Sequence, residues 1–157
     1  MKIKVVAAML CFLLSVSSFA ASKDGFAVKY DGGTIADLKT GTDIRINPSG
    51  TTITLSKGKA DLISIPAASI TEISYGQDVH RRVGAAVGLA IVSFGIGALM
   101  ALTKSKKHFI GLTWATGDVK GGFAMQCDKN DYRGLLAALE GLTGKKAVDS
   151  EAMNVKN

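Results

Sequence analysis

Residues Val83–Leu102, VGAAVGLAIVSFGIGALMAL, form an uncharged stretch of 20 residues in a chain whose remaining sequence mostly has the pattern of strands and turns. An α-helix rises about 1.5 Å per residue, so a helix of this length would span the apolar core of a bilayer. Ser93 is the only residue of the stretch with a polar side chain. The sequence therefore predicts a hydrophobic helix that crosses a membrane, lies in one, or packs inside the fold.

Basic residues flank this stretch on both sides. Each contributes about 1 kcal/mol of attraction near an anionic lipid surface, and long basic side chains reach from an apolar segment to the headgroups. An equally open interpretation is that these charges only fix the depth of the segment in the membrane. The predicted headgroup-binding residues are Arg81, Arg82, Lys104, Lys106 and Lys107.

Small residues recur at four-residue spacing within the stretch. This spacing lets helix backbones approach each other closely in lipid. It predicts a transmembrane or membrane-embedded helix that pairs with a second copy or with the rest of the domain. A buried core element and a glycine-broken hairpin are the alternatives. The predicted membrane-embedded or helix-packing residues are Gly84, Gly88, Ser93, Gly97 and Ala101.

The N-terminus has the pattern of a secretory signal peptide. Lys2 and Lys4 form a basic region, Val5–Val16 is apolar, and Ser18-Phe19-Ala20 offers small residues for cleavage. We expect residues 1–20 to be removed and the protein to be exported to the periplasm or cell envelope. An uncleaved N-terminal anchor is the alternative.

The charge and cysteine content of the exported chain limit its partners. Residues 1–20 carry two lysines and no acidic residue, so their removal lowers the formal net charge from +6 to +4. This surplus favours anionic surfaces such as membrane lipid, and nucleic acid is not an expected partner of an exported chain. Cys127 is then the single cysteine, which excludes an internal disulfide and suits a buried packing role.

Strand patterns lie on both sides of the apolar stretch. Thr51–Leu55 alternates apolar and polar residues, and Ile70–Tyr75 is a further strand candidate. Beyond the stretch, His108–Trp114 and Gly121–Cys127 each place large apolar residues on one face. A single membrane crossing would separate strands that fit one domain, so we expect both ends of the stretch on the same side of the membrane.

The apolar spacing changes to a helical period near the C-terminus, at Tyr132, Leu135, Leu136, Leu139 and Leu142. The predicted fold class is therefore α+β: a small antiparallel β-sandwich or half-barrel with a C-terminal amphipathic helix and an inserted hydrophobic helix. We expect one domain over residues 21–146, interrupted by the insert 83–102 and followed by a polar tail over 147–157.

Part of this order resembles bacterial PH-like and GRAM-like domains. The resemblance is carried by Thr51–Leu55, by Ile63–Ile73 with its central Ile-Pro and Ser-Ile pairs, and by a closing helix over Asn130–Leu142. It implies a β-sandwich or half-barrel capped by a helix and used for lipid or protein binding. No ligand residue is carried over, because the hydrophobic insert departs from the family pattern. Gly84–Gly88 also resembles the motif of glycine-zipper envelope proteins.

The sequence offers no convergent catalytic constellation. Neither His80 nor His108 has a second metal-ligand residue at the expected spacing, and no serine lies in a GxSxG elbow. Gly121-Gly122 has the composition of a turn and lacks the residues of a phosphate loop. We therefore expect a non-enzymatic, membrane-associated binding or scaffold module of the cell envelope, without cofactor or metal. The alternatives are a self-associating structural envelope protein and a soluble exported protein with a buried apolar helix.

Overall fold

The computed structural model describes residues 25–88 and 107–151, which build one eight-stranded β-sheet with a helix on each face. The two helices are α1 (Val79–Val87) and α2 (Tyr132–Thr143), and a short 3-10 turn covers Ala67–Ser69. The strands are β1 (Phe26–Gly33), β2 (Asp43–Ser49), β3 (Thr52–Lys57), β4 (Ala60–Pro66), β5 (Ile70–Tyr75), β6 (His108–Thr116), β7 (Val119–Cys127) and β8 (Val148–Asp149).

The sheet joins two antiparallel meanders through β1 and β7. Its strand order is β4-β3-β2-β1-β7-β6-β5-β8, and only the short pair of β5 and β8 is parallel. Lys29 of β1 lies opposite Gln126 of β7, and Gln126 lies opposite Phe109 of β6. Directly opposed residues share a face of a sheet, so these three side chains lie on the same face.

The main hydrophobic core lies on the inner face, where the sheet curls around α2. Leu135 and Leu139 of α2 are completely buried in this core. Helix α2 contacts both β2 and β5, although three other strands separate β2 from β5 in the sheet. The sheet must therefore curl to bring its two halves against one helix. The largest fully buried side chains of this core include Tyr30, Ile46, Leu55, Ile73, Leu112, Phe123 and Met125.

The predicted α+β fold class is wrong, because the described residues form a largely β structure. One mixed sheet of eight strands carries two short helices, of 9 and 12 residues. The C-terminal helix buries only Leu135 and Leu139 fully and covers part of the inner core. The sheet, and not a pairing of sheet and amphipathic helices, therefore supplies most of the buried side chains.

The inserted hydrophobic helix predicted over residues 83–102 is not found among the residues that the structure describes. Helix α1 begins at Val79, four residues before the apolar stretch, and ends at Val87, because Gly88 adopts the left-handed conformation with φ of 69°. Residues 89–106, and with them most of the stretch, lie outside the described residues. The expectation of a transmembrane helix is also wrong: within residues 25–88 and 107–151 no helix is long and apolar enough to cross a membrane.

The residues assigned to a polar tail begin with an ordered contact to the sheet. β8 lies beside β5, with Val148 opposite Ser74 and Asp149 opposite Tyr75. The backbone N–H of Ser150 donates to the carbonyl of Tyr75 at 2.7 Å, and Ser150 is buried. The C-terminal part of the described chain therefore supports the segment between β5 and α1.

Candidate functional site: the outer face of the sheet

Helix α1 packs on the outer face of the sheet, opposite the main core. Val79 and Val83 lie one helical turn apart and are completely buried, in a small cluster with Phe109 and Ala124. Burial of a valine side chain stabilises a fold by roughly 1.5–3 kcal/mol. This apolar ridge therefore holds α1 against strands β6 and β7.

Two glycines in strands β6 and β7 allow α1 to pack closely against the sheet. A Cβ atom added at Gly111 would lie 2.6 Å from Val79 Cγ1 and 2.7 Å from Val83 Cγ2. A Cβ atom added at Gly122 would lie 2.9 Å from Val83 Cγ1. These distances are shorter than ordinary van der Waals contact, so the glycines of β6 and β7 form a flat surface for the helix.

Polar side-chain contacts hold α1 on both sides of the valine ridge. Arg82 Nε and Nη2 donate to Glu72 Oε1 and Oε2 of β5, both at 2.9 Å. The hydrogen bonds to Glu72 raise the pKa of the Arg82 guanidinium, and its partial burial opposes this increase. On the other side, His80 Nε2 lies 2.5 Å from Oδ2 of Asp31, which is buried in β1, and the His80 ring meets the Phe109 ring edge to face. Helix α1 is therefore fixed to strands on both sides of the ridge.

The N-terminal end of α1 lies against the start of β6. Gln77 Nε2 donates to the carbonyl of Lys107 at 2.7 Å, and the Asp78 N–H donates to Ser150 Oγ at 3.1 Å. The nine residues of α1 extend for about 13 Å. Gly88 and Lys107, the described residues on either side of residues 89–106, therefore both lie beside α1, about one helix length apart.

A groove with a volume of about 310 Å³ opens on the outer face beside Lys107. It is formed where strands β1 and β2 meet the start of β6 and the end of β7. Three lysines, two acidic residues, a histidine and a glutamine are among the residues that line it: Lys29, Lys107, Lys129, Asp43, Asp128, His108 and Gln126.

The predicted headgroup-binding residues have different positions. Arg81 is exposed on α1, whereas Arg82 is paired with Glu72 and only partly exposed. Lys107 is partly buried and lines the groove. The structure thus brings Lys107 together with Lys29 and Lys129, which the sequence did not single out. The predicted residues Lys104 and Lys106 lie outside the described residues.

The predicted helix-packing residues are only partly described. Gly84 is buried in α1, and Gly88 is exposed at the left-handed end of that helix with open space around it. Ser93, Gly97 and Ala101 lie outside the described residues. Within the described chain, the close contacts of the sheet with α1 use the strand glycines Gly111 and Gly122, which the sequence did not identify.

The described residues contain a buried thiol but no cluster of metal-binding side chains. No group of three or more histidine, cysteine, aspartate or glutamate side chains within residues 25–88 and 107–151 is arranged to hold a metal ion. Cys127 is buried, and this burial, with a smaller effect from Asp131, raises the pKa of its thiol to about 12. A thiol in that state is a poor nucleophile at neutral pH.

Comparison with known proteins gives this chain no family. No protein-family model matches it, and no curated protein matches it.

Proposed function

We propose that this chain is a non-enzymatic, membrane-associated binding or scaffold module of the bacterial cell envelope. In this proposal the apolar stretch attaches the β-sheet to lipid, and the outer face of the sheet faces the headgroups. The export pattern of residues 1–20 and the basic residues around the stretch support this location. The similarity to PH-like and GRAM-like domains stays a prediction and contributes no site residue.

The observation that carries the proposal is the position of the two ends of the apolar segment. Gly88 ends α1, and Lys107 receives a hydrogen bond from Gln77 at the other end of the same helix. Both ends are therefore anchored to one face of one sheet. A segment of 20 residues is too short for two complete crossings. Attachment from one side of the membrane fits this arrangement.

Flotation with lipid vesicles tests the proposal on the full chain. The vesicles are phosphatidylcholine alone and a four-to-one mixture of phosphatidylcholine and phosphatidylglycerol. We expect the chain to float with both, and more completely with the anionic mixture because its basic residues are attracted to it. A variant with Leu89, Ile91 and Val92 changed to serine should stay at the bottom of the gradient.

A matched control separates loss of the apolar stretch from a general loss of apolar surface. Leu62, Val119 and Val148 are the large exposed apolar residues of the described chain, and they lie on the sheet. Their replacement by serine should leave flotation unchanged. The proposal is wrong if the parent chain fails to float with either vesicle, or if the control variant loses flotation as completely as the stretch variant.

A further inference from the structure

We propose that the outer-face groove binds a phosphoryl group, carried by a lipid headgroup or by a small soluble phosphate. This inference deepens the proposed function and rests on it for the position of the groove beside lipid. The volume of about 310 Å³ lies at the lower end of the range for small-molecule sites. A groove of this size accommodates one headgroup and not an extended polymer.

The charges of the groove favour an anion. Its three lysines and two aspartates give it one positive charge in excess. Asp43 Oδ1 lies 2.6 Å from Lys29 Nζ, and Asp128 Oδ1 accepts the backbone N–H of Asn130 at 2.9 Å. In the part of the chain that the structure describes, no acidic side chain forms an ion pair with Lys107 or Lys129. Two ammonium groups therefore stay available to a ligand on the walls of the groove.

The chemistry of these groups favours phosphate. A lysine ammonium is a compact charge with three donors and suits the several oxygens of a phosphoryl group. A phosphate monoester carries up to two negative charges at neutral pH, so two lysines can each neutralise one of them. Gln126, which lies opposite Lys29 and shares its face of the sheet, also lines the groove and adds a side-chain amide donor next to the lysines.

The position of Lys107 connects the groove with the apolar segment. Lys107 lines the groove, is the residue before β6, and directly follows residues 89–106. Its backbone is held by Gln77, which precedes α1. A phosphoryl group bound here would therefore lie next to the point at which the sheet is attached to the membrane.

Two probes and two double variants test the inference on the full chain in a neutral detergent or with vesicles. The probes are glycerol 3-phosphate, followed by calorimetry, and the anionic vesicles described above. The groove variant changes Lys107→Gln and Lys129→Gln. The control variant changes Lys57→Gln and Lys120→Gln, two exposed lysines of β3 and β7 that do not line the groove. Both variants remove the same charge, and thermal melting checks that both are folded.

We expect the groove variant to bind at least one probe about 25-fold more weakly, since each of the two lysines near an anionic surface contributes roughly fivefold. The control variant should change binding by about twofold at most. Groove-dependent binding of glycerol 3-phosphate supports the inference with phosphate itself as the ligand. Groove dependence with vesicles alone supports it with a lipid headgroup as the ligand.

Equal weakening in the two variants would overturn the inference, because the attraction would then depend on total charge. The inference would also be overturned if the groove variant bound both probes as tightly as the parent chain does, or if neither probe bound. These failures differ from failure of the proposed function. If the groove variant floats as well as the parent chain and glycerol 3-phosphate does not bind, the proposed phosphoryl site is wrong and membrane attachment still stands. If glycerol 3-phosphate binds and the groove variant weakens this binding, but the chain does not float with vesicles, the phosphoryl site stands and membrane attachment is wrong.

Discussion

Gly111 lies where α1 crosses β6, and the absence of its side chain determines how closely the helix packs. A Cβ atom at this position would lie 2.6–2.7 Å from Val79, Val83 and Ser74. Gly141, in α2, has open space at the corresponding position. The same substitution, glycine to alanine, should therefore have opposite effects at the two sites.

We expect Gly111→Ala to lower the free energy of unfolding by about 1–3 kcal/mol, because the helix or the strand must move to accommodate the methyl group. Gly141→Ala should raise it by about 0.5–1 kcal/mol, since alanine favours a helix more than glycine does. Urea denaturation of both variants measures the difference. Destabilisation of similar size in both would show that the glycine at β6 has no special packing role.

Cys127 makes stability depend on pH in the alkaline range. Burial raises the pKa of its thiol from 9.0 to about 12, so the folded state holds the proton more strongly than the unfolded state. The contribution to stability is fully present below pH 9 and is lost as the pH rises from 9 towards 12. We expect the parent chain to lose more stability over this interval than Cys127→Ala, measured by urea denaturation at each pH. Parallel curves for the two proteins would contradict this expectation.

At the scale of the elements, the strands were the most predictable part. The alternating segments Ile70–Tyr75, His108–Trp114 and Gly121–Cys127 all lie in strands. The observed β6 and β7 are longer because Thr116 and Val119 still pair across their hairpin. Alternation of apolar and polar residues identifies the part of a strand that packs against the core. It does not identify the exposed ends of a strand, which only extend the hydrogen bonding between strands.

Glycine was harder to interpret from the sequence. Gly121-Gly122 has the composition of a turn but lies in β7, where Gly121 supports the ring of Trp114 and Gly122 lies under Val83. Each position requires glycine because a residue distant in sequence packs against it, and local propensity contains no information about such a contact.

The position of α1 had a local signal, since Val79 and Val83 are spaced by one helical turn. The sequence pattern instead places Arg81 and Arg82 at the flank of the apolar stretch, whereas both lie within α1.

At the scale of the whole molecule, the groove depends on the order of the strands. Lys29 and Lys129 are 100 positions apart, and the pairing of Lys29 with Gln126 brings the first strand to the end of β7. The sequence indicated Lys107 because a run of lysines follows the apolar stretch. It contained no comparable signal for the other two lysines, because strand order follows from the packing of the complete core.

The attachment of both ends of the apolar segment to one sheet determines how the molecule is oriented towards a membrane. Ala86 is exposed on α1 before the segment, and Lys129 is exposed after β7. In a Cys127→Ser background, a cysteine at either position should react equally with an impermeant maleimide on cells whose outer membrane, where there is one, has been permeabilised. The Cys127→Ser chain without an added cysteine gives the background. If one position is labelled and the other is protected until the inner membrane is broken, the two sites lie on opposite sides of that membrane. That result would contradict a single sheet that anchors both Gly88 and Lys107, because Gln77 contacts Lys107 directly at the start of the helix that Gly88 ends.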